Sequence, residues 1–82
     1  MNIYVGNLNY KVQENKLKEV FDDYGTVESV KIIQDKATGR SKGFAFVEMP
    51  NDAEGQAAID GLNSSEFMGR KLVVNQARPK DQ

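Results

Sequence analysis

The sequence predicts an α+β domain with its elements in the order β-α-β-β-α-β. Two stretches repeat their apolar or small residues at i, i+3, i+4, i+7, the stripe of a helix packed by one face. They are Leu17, Val20, Phe21, Tyr24 and then Gly55, Ala58, Ile59, Leu62. Four other stretches, residues 3–5, 26–34, 43–49 and 71–76, alternate in polarity or are rich in β-branched residues, as strands are. The chain has 82 residues, room for one small domain.

The first strand, residues 3–5, is ended by Gly6-Asn7. The first helix begins between Val12 and Asn15, where no Ser, Thr or Asp offers a clear cap, and Gly25 is expected to close it. The second strand, residues 26–34, carries Val27, Val30, Ile32 and Ile33. Residues 36–41 form a polar turn, with Gly39 a candidate for positive φ. The third strand, residues 43–49, stops at Pro50. Asn51 and Glu54 then make a variant of the capping box for the second helix. Residues 64–69 form a loop or a small hairpin before the last strand, residues 71–76. Two βα units joined by a hairpin give a ferredoxin-like arrangement: one four-stranded antiparallel sheet with both helices on one face. The domain is expected to span residues 1–78, with 79–82 a polar tail. The second face of the sheet has no cover from this chain.

Composition excludes several function classes. The chain has no Cys and no His, so there is no disulfide framework and no thiolate metal site. The commonest general base is missing as well. No catalytic group, metal or cofactor is expected. No apolar run approaches a membrane span and no signal-peptide layout precedes Ile3. The missing Cys fits a reducing, cytoplasmic setting. Net charge is −1 and the pI is about 5.3, which by itself counts against a nucleic-acid binder. The distribution matters more. Glu14, Glu19, Asp22, Asp23, Asp52, Glu54 and Asp60 fall in the helices. Lys31, Lys36, Arg40, Lys42, Arg70, Lys71, Arg78 and Lys80 fall in strands, turns and the tail. A near-neutral sum can hide a basic face and an acidic back.

Alternation along the third strand points to the chemistry. Ala45, Val47 and Met49 share one face; Lys42, Phe44, Phe46 and Glu48 share the other. Lys and Glu cannot lie under two helices without partners, so the second set faces solvent. The competing reading puts Phe44 and Phe46 in the core. It would expose Val47 and Met49 and bury Lys42 and Glu48. In the first strand Tyr4 opposes Ile3 and Val5, and pairing of the first and third strands brings Tyr4 beside the two Phe. Three aromatics on an open sheet form a stacking platform for nucleobases, at about 1–3 kcal/mol per base. Lys42 beside them is suited to a phosphate.

These residues resemble a known family. Ile3-Tyr4-Val5-Gly6-Asn7-Leu8 is similar to the hexapeptide motif of RNA recognition motif domains, and Lys42-Gly43-Phe44-Ala45-Phe46-Val47-Glu48-Met49 to their octapeptide. The likeness extends to the Asp35…Thr38-Gly39…Ser41-Lys42 turn and to Gly69-Arg70-Lys71-Leu72. It implies that Tyr4 and Phe44 each stack a base, that Phe46 packs against a sugar or between nucleotides, and that Lys42 pairs with a phosphate. Met49 stands where the family usually closes with an aromatic, and it should fill the core. Around the platform, Lys31 and Ile33 of the second strand, Arg40 in the turn, Asn75 and Gln76 of the last strand and Arg78 after it are expected to contact RNA. Leu72 and Val74 read as core, and Asn7 as a turn residue.

The expected function is therefore binding of single-stranded RNA, over about two to four nucleotides, in post-transcriptional regulation and by a monomer. Single-stranded DNA is a possible substitute ligand. The alternative is a protein-interaction module that uses the helical face; domains of that kind often lack the sheet aromatics, which this chain keeps. An enzyme or metal carrier is the third class. It is opposed by the missing Cys and by a first loop, residues 6–11, without a phosphate-cradling Gly repeat.

Overall fold

The computed structural model describes residues 1–39 and 41–77, with Ser41 and Lys42 described by their backbone alone. Arg40, Arg78 and the expected tail 79–82 lie outside the described residues.

The elements are β1 (Asn2–Gly6), α1 (Glu14–Asp22), β2 (Ser29–Gln34), β3 (Ser41–Glu48), α2 (Asp52–Leu62), β4 (Glu66–Phe67), β5 (Arg70–Lys71) and β6 (Val73–Gln76). Strands β2, β3, β1 and β6, in that order, form one antiparallel sheet, and β4 and β5 form a separate two-stranded hairpin. The β-α-β-β-α-β order is as predicted, with the small hairpin inserted before the last strand. Among the described residues no helix is long and apolar enough to cross a membrane.

One face of the sheet makes the core. Ile3, Val5, Ile32, Ala45, Val47, Met49 and Val74 point to it, and Leu17 and Phe21 of α1 and Ala58, Ile59 and Leu62 of α2 close it. Both helical stripes are thus the ones the spacing predicts, with Val20 and Tyr24 packed at the margin. Among the described residues no polar side chain is buried. Burial of each large apolar side chain contributes about 1.5–3 kcal/mol.

The caps differ from expectation in two ways. At α2, Asn51 Oδ1 accepts from the Glu54 amide at 3.0 Å, as a capping box requires. The reciprocal half is diverted: the Glu54 carboxylate accepts from the Thr26 amide at 3.1 Å and so ties the start of α2 to the α1–β2 connection. At α1, the helix ends at Asp22, with Asp23 as its C-cap. Gly25 lies two residues further on with φ 158°, outside the left-handed helical region of a capping glycine. Its missing side chain leaves room for Glu54 instead, because a Cβ there would collide with that carboxylate. The start of α1 is as weak as the sequence suggests: the N-cap is Gln13, which makes no side-chain cap bond.

The expected last strand is divided. Arg70 and Lys71 pair with Phe67 and Glu66, and only Val73–Gln76 join the main sheet. Leu72 at the division exchanges backbone hydrogen bonds with Ser64 and Ser65, both at 2.8 Å. Local pairing across the short turn therefore holds these residues. The second strand is likewise shorter than read, because residues 26–28 lead into it without joining the ladder.

Candidate nucleic-acid interface

The register builds the open face row by row. Tyr4 of β1 lies opposite Phe46 on one side and Asn75 on the other, and Phe46 lies opposite Lys31. The central row is therefore Lys31, Phe46, Tyr4, Asn75 across all four strands. A second row joins Ser29, Glu48 and Asn2. Towards the β1–α1 loop, Gly6 lies opposite Val73, which is 43% exposed on this same face.

Three aromatic rings fill the centre. Centroids are 5.9 Å apart for Tyr4 and Phe44, 6.0 Å for Tyr4 and Phe46, and 6.2 Å for Phe44 and Phe46. Their orientations differ. Tyr4 and Phe44 are tilted by 34°, so they offer two similarly directed faces. Phe46 stands nearly perpendicular to Phe44, at 87°. It is 38% exposed. A flat base that lies on Tyr4 or Phe44 therefore meets Phe46 with a different part of the nucleotide. A shallow groove of about 520 Å³ runs beside Phe46, lined by Asn2, Ser29, Lys31, Ile33 and Ala77.

Gly6 sets the attitude of Tyr4. A Cβ at Gly6 would lie 2.6 Å from the Tyr4 hydroxyl and 2.9 Å from Cε1, so the ring lies down along the strand over that glycine. Gly6→Ala should lift or rotate the ring away from Phe44. Affinity for single-stranded RNA is expected to fall roughly 5- to 10-fold, about 1 kcal/mol, the lower end of a stacking loss. A titration paired with a thermal melt checks this, with the affinity change as the larger effect.

The other expected site residues are placed as follows. Lys31 is exposed beside Phe46 and makes no ion pair among the described residues. Ile33 is half-buried at the rim. Asn75 is exposed next to Tyr4. Gln76 lies opposite the buried Ile3, so its Cα belongs to the helix-side row and not to the platform. Alternation from Asn75 requires this, and the Gln76 side chain is exposed at the sheet edge. The side chain of Lys42 and the whole of Arg40 and Arg78 lie outside the described residues. Alternation does not carry the platform back to Lys42. Gly43 has φ 87° and the β2–β3 register shifts between Ile32 and Gln34, the mark of a bulge that breaks the period of two.

Sequence reasoning missed a clamp at the end of the face. Asn7 sits at φ 57°, donates from Nδ2 to the Lys71 carbonyl at 2.6 Å, and accepts at Oδ1 from Arg70 Nη2 at 2.7 Å and Nε at 3.2 Å. It is the turn residue expected, and it also fixes the β4–β5 hairpin against the β1–α1 loop. Positions 63 residues apart in sequence leave no periodic signal of such a contact.

Comparison with known proteins agrees with this geometry. The family model described as RNA recognition motif matches residues 3–73. The chain belongs to the RNA recognition motif family. RbpF of Nostoc sp., a candidate RNA-binding protein, is 54% identical over 81 residues, which cover 99% of this chain and 77% of that protein. The crystal structure of an RNA-binding protein, PG1, has a TM-score of 0.92 at 51% identity and covers 98% of this chain and 99% of its own. The Rna15 RNA recognition motif with bound RNA (GU) has a TM-score of 0.85 at 28% identity and covers 99% of this chain and 86% of that one. In this family, the motif that contributes Tyr4 and the motif that contributes Phe44 and Phe46 come from adjacent central strands, as β1 and β3 are here.

Proposed function

We propose that this RNA recognition motif domain binds single-stranded RNA across its open sheet face. Tyr4 and Phe44 stack one base each, and Phe46 packs against a sugar or between neighbouring nucleotides. The observation that carries this is the ring triad: three aromatics within about 6 Å of one another on the face opposite both helices. The difference in ring attitude supports the division of roles. Lys31 is placed to neutralise a phosphate, and Asn75 to hydrogen-bond a base next to Tyr4. Lys42, Arg40 and Arg78 join them as proposed phosphate contacts. The protein then acts as a monomeric binding module in post-transcriptional regulation, without a catalytic step.

The test is titration of labelled single-stranded RNA, duplex RNA and single-stranded DNA over a range of salt. Single-stranded RNA should bind and the duplex should not, because paired bases cannot reach the rings. Each neutralised phosphate adds about 0.7 to the magnitude of the salt slope on a single strand, so Lys31 and Lys42 alone give roughly −1.4 and all four cations roughly −2.8. Equal binding of duplex and single strand would refute the stacking model. Preference for the DNA strand would reassign the ligand.

A further inference from the structure

We propose that Tyr10, in the loop after β1, is a fourth stacking residue that takes a nucleotide of the same RNA strand beyond the end of the sheet. The inference rests on the single-stranded RNA reading above and extends it past the platform.

Tyr10 is the most exposed of the large hydrophobic side chains described, at 65%. A single exposed Tyr would by itself need no explanation. Its setting distinguishes it. The Leu8 amide donates to the Gly43 carbonyl at 2.9 Å, and Asn9 accepts from the Lys11 amide at its side chain and from the Val12 amide at its carbonyl. Asn9 Nδ2 also reaches the Met68 carbonyl at 3.2 Å. The backbone on both sides of Tyr10 is therefore pinned, and the ring is held out without a packing partner over most of its surface. A preorganised aromatic loses little freedom on binding.

The ring is also held next to the platform. Gly43, the residue before Phe44, has φ 87°, and a Cβ on it would lie 3.1 Å from Tyr10 Cε1. Glycine at this position lets one edge of the ring rest on β3. Beyond it opens a groove of about 810 Å³, whose lining includes Tyr10, Lys11, Glu14, Asn15, Ile32 and Gln34. That is within the size range of small-ligand sites, about 300–1,000 Å³. The groove offers an aromatic face for the base, amide side chains with donors and acceptors for its edge, and the Lys11 ammonium for a phosphate, while its carboxylate, Glu14, accepts from the Ile32 amide at 3.3 Å. The groove lies past the end of the sheet, between the start of α1 and the helix-side residue Ile32 of β2, and Tyr10 borders it while resting on Gly43, so a strand that leaves Phe44 over Gly43 reaches the ring first.

The experiment compares Tyr10→Ala, Tyr10→Leu and Tyr10→Phe with the wild type. Each is titrated with an RNA of about three nucleotides, matched to the sheet, and one of about eight that runs past it. Thermal melts confirm that each variant is folded. The proposal expects Tyr10→Ala and Tyr10→Leu to weaken the longer RNA roughly 5- to 100-fold, leave the shorter one unchanged, and Tyr10→Phe to bind both as the wild type does. Equal losses on both lengths would overturn it in favour of a role in shaping the loop. No loss on either length, with the wild type binding and the Phe44/Phe46 double variant impaired, would overturn it and leave the platform reading intact. A wild type that binds neither RNA would instead defeat the platform reading itself.

Discussion

Phe44→Ala combined with Phe46→Ala is expected to weaken binding of single-stranded RNA at least about 30-fold while the domain stays folded. Stacking on an aromatic contributes about 1–3 kcal/mol per base, so the lost Phe44 stack together with the lost Phe46 contact to the same nucleotides costs roughly 2 kcal/mol, and each 1.4 kcal/mol is a factor of ten. The effect is large here because charge has little to offer. With a net charge of −1 and a pI near 5.3, the domain has no strong long-range attraction for a polyanion. The cost in stability should be small. Phe46 already shows 38% of its surface to water, and both rings lie on the face away from the core. Loss of the contacts among the three rings costs about 1 kcal/mol. Fluorescence anisotropy with labelled RNA reads the first effect, and a urea melt the second. Unchanged binding by the folded double variant would contradict the assignment.

Phe21→Ala should do the reverse. Phe21 is the largest of the fully buried side chains, at 0% exposure on α1, and it faces the sheet from the helical side. Truncation of a buried Phe costs about 3–5 kcal/mol, in lost transfer energy and in the cavity left behind. A domain of this length has a total stability of roughly 4–12 kcal/mol, from about 0.05–0.15 kcal/mol per residue. The variant should therefore lose a large share of its stability, and an unfolded fraction is expected if the wild type lies near the lower end. A lower midpoint in urea with an unchanged m-value checks this. The folded fraction should still bind RNA with near wild-type affinity, since Phe21 touches nothing on the open face. The two variants thus separate the roles of the two faces of one sheet.

Much of this was legible in the sequence, for a physical reason. From Phe44 to Met49 the strand alternates strictly, and Glu48 cannot share a face with the core, so the direction of both aromatics follows. The stripes of α1 and α2 are equally plain, because a helix buries one face at a fixed spacing. Legibility ends where backbone geometry departs from the period. The bulge at Gly43 removes the ground for placing Lys42 by alternation. Leu72 pairs with the residues before the small hairpin, so the last strand divides where the β-propensity is continuous. The clamp of Asn7 on Arg70, the position of Tyr4 over Gly6 and the resting place of Tyr10 on Gly43 are contacts between segments. No local pattern records them.

RNA is expected to lie on the sheet face and not on the helices. Mapping chemical shifts by NMR during titration with single-stranded RNA tests it most directly. The ring protons of Tyr4, Phe44 and Phe46 and the amides of β1 and β3 should move first and furthest, while the outward residues Lys18, Asp22, Gln56 and Asp60 of α1 and α2 stay still. Perturbations concentrated on those helical residues, with the three rings unmoved, would contradict it.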